Sequence, residues 1–496
     1  MSANRLPLIA TQWRDALNRR STVALMGAAG TALVVALVVA ASLAGVPQHV
    51  VLPQWWGAWP TGDQARPGWG AAAVAVIAAL CVVWVHLART WLRAGARVPR
   101  LRTIGLVAVA WATPLTLAGP IGSLDVQSYA AVGRLAQVGM NPYHWGPAWL
   151  HDSFAAAVSD EWQYTPTPYG PLQVSLLREI AVGAGNHVGL AVLMIRAVAV
   201  IGLAAAVVLA LHAAQNGERS SVLLLVALNP LVLVHIVSGA HLDVLVGALA
   251  VAVVLLVRRR MPVFAMVVAV IACMLKLPGL LLVGYVGLDV LRRTDRTALR
   301  GRLVELAGAA TATVVVTLAV VPDAFGWVGA LAVPGRIRSG LAPSTWLSWL
   351  IAGVAGVSDP HGVAVATTIA RVLTAAVGAA LAARLLWYAT DGPERAAYAG
   401  VGWAMMVLAF SGPTTYPWYL TWGLFAAAVG SRLRGRLVLL ALSVAYALLG
   451  GYAGGTVGIL VMVAMFAVTG VVLWRTWLGL VVTPVTERAL ASAAVA

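Results

Sequence analysis

Asp125 stands where a long apolar run, Thr103 to Pro120, gives way to the segment Gly122-Ser-Leu-Asp-Val-Gln-Ser-Tyr-Ala-Ala-Val-Gly133. A carboxylate at the mouth of a membrane helix is costly unless water, a partner or a reaction accounts for it. Two compatible readings suit it. It is the cap of the helix that follows, satisfying that helix's first amides, or it is a general base facing a wet cleft, able to take a proton from a hydroxyl. Asp243 and Glu161 are the next acids that could fill the second role.

Three further clusters carry polar or aromatic chemistry. Asn229-Pro230, His235 and Ser238-Gly-Ala-His-Leu-Asp243 gather at one turn between apolar runs. His241 and Asp243 there form either a polar staple between helices or the wall of a hydrophilic cavity. His235, His241 and Asp243 match no strong metal-binding spacing, and no metal site is expected. Lys276 is the only lysine of the chain. It either snorkels to the membrane interface or, with Arg336 and Arg338, supplies charge-assisted donors to a lipid-borne phosphate. Glu161-Trp-Gln-Tyr-Thr-Pro-Thr-Pro-Tyr-Gly-Pro171 and Ser411-Gly-Pro-Thr-Thr-Tyr-Pro-Trp-Tyr419 are dense in proline and aromatics. Tyr129, Tyr169, Trp346 and Trp418 offer ring faces of the kind sugars stack on, or serve as interfacial anchors.

These residues hang on a chain of 496 residues, 61% hydrophobic and 10% charged. Soluble domains carry roughly 25% charged residues. Apolar runs of about 20 residues recur, long enough to span a bilayer, and they are continuous rather than alternating, which excludes a β-barrel. The fold expected is an all-α polytopic membrane protein with about fourteen spans: 22–46, 69–92, 103–120, 188–213, 221–237, 242–257, 261–275, 277–291, 303–321, 361–389, 397–412, 416–430, 437–452 and 456–474. The net charge of +16 does not imply nucleic acid, because no polar domain exists to carry a binding face. The arginines cluster instead in the breaks 89–102, 258–260, 292–302 and 432–436, the positive-inside pattern that sets those breaks in the cytoplasm.

On that topology both termini are cytoplasmic, and 481–496 is a cytoplasmic tail after a single membrane domain, 1–480. Three segments face outward. The loop 47–68 is a Trp-rich anchor. The loop 121–187 opens with an amphipathic helix from Asp125 to Gly139 that is ended by Asn141-Pro-Tyr143. In the loop 322–360, the run 346–357 is too short to cross and reads as re-entrant or interfacial. Cys81 and Cys273 fall in apolar runs and imply no disulfide framework.

Leu124-Asp125-Val-Gln-Ser-Tyr129, Gly139-Met-Asn-Pro-Tyr143, Thr167-Pro-Tyr-Gly-Pro171, Asn229-Pro-Leu-Val-Leu-Val-His235, Gly239-Ala-His-Leu-Asp243, Lys276 and Tyr416-Pro-Trp-Tyr419 form an ordered set. In it the chain resembles the actinobacterial polyprenyl-phosphate-mannose-dependent α-(1→6)-mannosyltransferases. Where that family has His-Asn-Asp/Glu, this chain has His241-Leu242-Asp243. The resemblance implies a GT-C fold in the plasma membrane with its site on the extracytoplasmic face. It implies a polyprenyl-phosphate-mannose donor and a lipid-anchored mannan acceptor, the backbone of lipomannan and lipoarabinomannan. The α-linked product of a β-linked donor implies inversion, with Asp125 as base and no cofactor. Other readings are another polyprenyl-phosphate-sugar transferase, such as an arabinosyltransferase, and a membrane transporter or lipid flippase.

Overall fold

The computed structural model describes residues 5–44, 67–92, 100–321, 323–337 and 339–449. Residues 47–66 of the loop 47–68, the run 456–474, the tail 481–496 and Arg338 lie outside the described residues. Among those described no strand occurs, as expected where a membrane core leaves every backbone N–H and C=O to be satisfied within its own segment.

The main helices in chain order are α1 (Arg5–Ala44), α2 (Pro67–Leu92), α3 (Leu101–Leu117), α4 (Asp125–Gln137), α5 (Pro171–Ala184), α6 (Val188–Ala213), α7 (Arg219–Ala227), α8 (Pro230–Ser238), α9 (Asp243–Arg258), α10 (Pro262–Leu275), α11 (Leu280–Arg293), α12 (Arg296–Val320), α13 (Pro343–Val354), α14 (Pro360–Asp391), α15 (Glu394–Ser411), α16 (Thr421–Gly430) and α17 (Leu433–Leu448). A helix lies over each expected apolar run as far as residue 448. Five helices are long and apolar enough to cross a membrane: Val23–Ala44, Gly68–Arg89, Val188–Ala213, Arg296–Val320 and Pro360–Asp391. The pair α7 and α8, bent by 43°, makes a sixth if it is one span.

That bend is built by Asn229-Pro230. Pro230 has no N–H to give the helix. The Asn229 side chain covers the break: it accepts from Leu231 N (3.0 Å) and donates to Leu225 O (3.0 Å) and Ser443 Oγ (2.8 Å). The second half of α8 is a π-helical turn, Leu233–Ser238, and Ala240 follows at φ 56°. This irregular backbone carries His235 and His241 into the interior and starts α9 at Asp243.

The two ends of the bundle are closed differently. At one, arginines occupy helix-terminal carbonyls and acids. Arg395 and Arg436 both hold Glu218 at 2.8 Å, Arg292 binds Asp391 with its guanidinium 3.6 Å from the Trp387 ring centroid, and Arg258 binds Gly392 O. Cations suit helix C-termini. At the other end the segments 121–171, 239–243, 276–279, 323–342 and 412–420 meet. Tight joints hold them in register. Gly133 of α4 lies so close to α5 that an added Cβ would stand 2.2 Å from Leu177 O. Gly170 N bonds Leu275 O at 2.9 Å, and a Cβ there would stand 2.0 Å from Met274 O. Asn141 Oδ1 accepts from Tyr143 N at 2.9 Å, Thr167 N reaches Pro142 O, and Trp327 Nε1 donates to Pro168 O.

A buried cation sets the start of this region. Arg196 of α6 donates to Thr116 O and Ala118 O at the end of α3 and to Ser238 O. Ser238 Oγ in turn receives Ile121 N at 3.0 Å. The chain therefore leaves α3 on a fixed path toward Asp125.

Candidate active site

α4 begins at Asp125, directly after Leu124 in the cap position, which offers no side-chain cap. The carboxylate is thus not the cap that one reading made it. Asp125 N donates to Ser123 Oγ (3.1 Å), while its Oδ1 accepts from Trp162 Nε1 (3.0 Å). Burial pushes the carboxyl up to about 6, and the charge of Glu161 adds to this; the Trp162 and Ser123 hydrogen bonds and the Lys276 charge oppose it. A group with such a value keeps a useful proton affinity and is still largely ionised near neutral pH, as a general base must be.

The carboxylate opens on a cleft of about 600 Å³, a figure that includes the open solvent at its mouth. α4 contributes Asp125, Ser128 and Val132, spaced three and four residues apart and so on one face. Trp162 and Thr165 to Tyr169 form a second wall, Pro334 and Ile337 a third, and Thr414, Tyr416, Trp418 and Tyr419 the fourth. Aromatic rings dominate. Tyr416 stacks on Trp418 (4.9 Å, 5°), and Trp418 stacks on His241 (3.6 Å, 12°). Tyr129 stands edge-on to Tyr169 (5.3 Å), and its hydroxyl pairs with His241 Nδ1 at 2.9 Å.

Behind this wall lies Lys276, in the break between α10 and the turn Leu277–Gly279. It does not snorkel. Its ammonium is buried, pairs with Asp243 Oδ1 at 2.8 Å, and sits 4.4 Å from the Tyr419 ring centroid, 5.3 Å from that of Tyr169 and 5.4 Å from that of Trp422. Trp422 Nε1 donates to the same Asp243 oxygen at 2.6 Å. Tyr169 and Tyr419 therefore have one side toward the cleft and the other toward a buried ion pair, an arrangement in which cation–π attraction is strongest because the cation is desolvated.

Of the residues singled out in the sequence, Asp125, Tyr169 and Trp418 line the cleft together, with Tyr129 and His241 packed directly beneath and Lys276 and Asp243 one layer behind. Arg336 is exposed on the turn Val333–Arg336, flanked by the lining residues Pro334 and Ile337. Trp346 is 62% exposed on α13, its Nε1 donating to Gly340 O at 2.6 Å, outside the cleft. His235 and His241 lie 6.3 Å apart, but Asp243 is turned to Lys276, and no three metal-ligating side chains converge among the described residues.

Four contributors carry no role in the sequence reading: Trp162, Trp422, Ser128 and Arg196. Arg196 had a readable signal, a charge inside the apolar run 188–213 that only a buried polar role explains. The indoles had none, since only the tertiary fold sets them against carboxylates.

A helical membrane protein whose loop-bearing end holds a carboxylate in an aromatic-lined cleft has the parts of a membrane glycosyltransferase. The chain belongs to the α-(1→6)-mannopyranosyltransferase family: residues 24–292 match the domain described as alpha-(1->6)-mannopyranosyltransferase, N-terminal domain, and residues 344–476 match the MptB C-terminal domain. It is 30% identical over 369 residues to alpha-(1->6)-mannopyranosyltransferase A of Mycobacterium tuberculosis, covering 71% of this chain and 69% of that one. It is 29% identical over 375 residues to alpha-(1->6)-mannopyranosyltransferase B of Corynebacterium glutamicum, covering 70% and 61%. No solved structure matches the chain.

Proposed function

We propose that the protein is an inverting α-(1→6)-mannosyltransferase of GT-C architecture, with about fourteen spans in the plasma membrane and its cleft on the extracytoplasmic face. The donor is polyprenyl-phosphate-mannose and the acceptor a lipid-anchored mannan, the backbone of lipomannan and lipoarabinomannan. The observation that carries this reading is the Asp125 carboxylate, raised toward neutrality and opening on a ring-lined cleft. Membership of a family whose relatives bear the α-(1→6)-mannopyranosyltransferase name supports the sugar and the linkage.

In this mechanism the acceptor 6-hydroxyl hydrogen-bonds Asp125. As its oxygen attacks the anomeric carbon, the proton passes to the carboxylate. The bond from that carbon to the phosphate oxygen breaks, and polyprenyl phosphate departs from the opposite face, inverting the centre. The leaving group is already a good anion, so no acid catalyst is required and no cofactor enters a step. Tyr416 carries the sugar on its ring, with Trp418 stacked against it and against His241 as the support behind. Arg336, at the cleft rim, meets the phosphate charge, with Arg338 assigned the same part. Lys276 and Asp243 act through Tyr169 and Tyr419, and His241 through Tyr129 and Trp418. Trp346 contacts lipid.

The test is transfer by the purified full-length protein in vesicles, with polyprenyl-phosphate-mannose and a mannan acceptor. An α-(1→6)-linked product is expected. Transfer from polyprenyl-phosphate-arabinose with none from the mannosyl donor would contradict the assignment.

A further inference from the structure

Ser128 lies one helical turn after Asp125 on the same face of α4, and both line the cleft. It is only 9% exposed, and its Oγ has no hydrogen-bond partner. This is unlike many of the hydroxyls that this chain carries on helices. Thr31, Ser42, Thr113, Thr116, Thr313, Thr317, Thr367 and Thr368 each donate to the carbonyl four residues back, the usual resting place for a hydroxyl inside a helix. For Ser128 that carbonyl would be Leu124 O, and no such bond is made. A buried hydroxyl without a partner is destabilising, and among cleft-lining side chains it stands beside the reacting carboxylate. Such a group has a use when a ligand completes it.

We infer that Ser128 is a binding residue for the acceptor sugar, its hydroxyl pairing with a hydroxyl of the same sugar unit whose proton Asp125 removes. This rests on the reading of Asp125 as the base. In a single displacement the base and the leaving phosphate lie on opposite faces of the anomeric carbon, so a group one turn from the base on the same helix face lies on the acceptor's side. A neutral hydroxyl suits this position, since it both donates to and accepts from a sugar hydroxyl and adds no charge beside the base.

The experiment compares the full-length protein with Ser128→Ala in vesicles, varying acceptor and donor separately and recording thermal unfolding. Alanine is a good helix residue and removes an unpartnered polar atom. The expected result is an acceptor KM raised about tenfold, with donor KM and kcat close to those of the parent and no loss of melting temperature. Mannoside acceptors lacking one hydroxyl at a time supply a second readout: one deoxy acceptor should bind the parent as weakly as the intact acceptor binds Ser128→Ala, and should bind the variant no worse. An unchanged acceptor KM overturns the inference, and so does an equal change in donor and acceptor KM accompanied by a lower melting temperature. The base assignment is judged separately by Asp125→Asn. If that variant still transfers while Ser128→Ala keeps its acceptor defect, Ser128 stands without the base. If Asp125→Asn is inactive and Ser128→Ala binds acceptor normally, Ser128 falls alone.

Discussion

Asp125 and Asp243 are local twins. Each follows a leucine in the cap position, each is the first residue of its helix, and each accepts a hydrogen bond from an indole N–H, Trp162 for one and Trp422 for the other. What separates them is a cation. Asp243 is 3% exposed and bound to Lys276, whose charge three aromatic rings enclose. Asp125 is open to the cleft, and its carboxyl is pushed up because burial is not offset by a comparable partner. The same residue in the same local setting is thus bound to a cation in one place and left facing a cleft in the other. Tertiary charge pairing decides which, not the helix start that both share.

The contrast can be broken most severely at Asp243. Removing one member of a buried ion pair leaves the other charge unpaired in a low dielectric, a loss of about 3–5 kcal/mol. Asp243→Ala should therefore lower the melting temperature steeply, while Asp125→Ala, which strips a cleft-facing group, should leave it nearly unchanged. Equal melting temperatures for the two variants would show that the Lys276 pair is not what distinguishes them.

A smaller effect sharpens the electrostatic half of the comparison. The base works ionised, so transfer should fall as pH drops through about 6, where Asp125 takes up its proton. Trp162→Phe removes a donor that favours the anion and should move this acid limb upward. Glu161→Gln removes a like charge and should move it downward. The measurement is kcat/KM against pH for the three proteins; a limb that ignores both changes would mean another group titrates.

Much of this architecture is legible in the sequence, and the reason is the bilayer. Apolar runs predict helices because hydrocarbon leaves the backbone no alternative, and the breaks at Lys276-Leu-Pro278 and Pro413 to Pro417 appear where expected. Asp125 is legible too, as a charge where charge is expensive. The 43° bend within 221–237 is not, because apolar residues flank Asn229-Pro230 on both sides and the run reads as one span. Nor is the setting of Lys276: its partner is 33 residues away and its enclosing rings come from two separate segments, one with Tyr169 and one with Tyr419 and Trp422. Periodicity reports which face is apolar; it carries no information about which rings meet across a fold.

The most direct measurement of Asp125 as the base is the turnover of Asp125→Asn with saturating donor and acceptor. Asparagine keeps the size and a hydrogen-bond acceptor for Trp162 but cannot take the proton. The expected result is a loss of about 10²–10⁴-fold in kcat with an unchanged melting temperature. Transfer at the parent rate by a folded Asp125→Asn protein would contradict it.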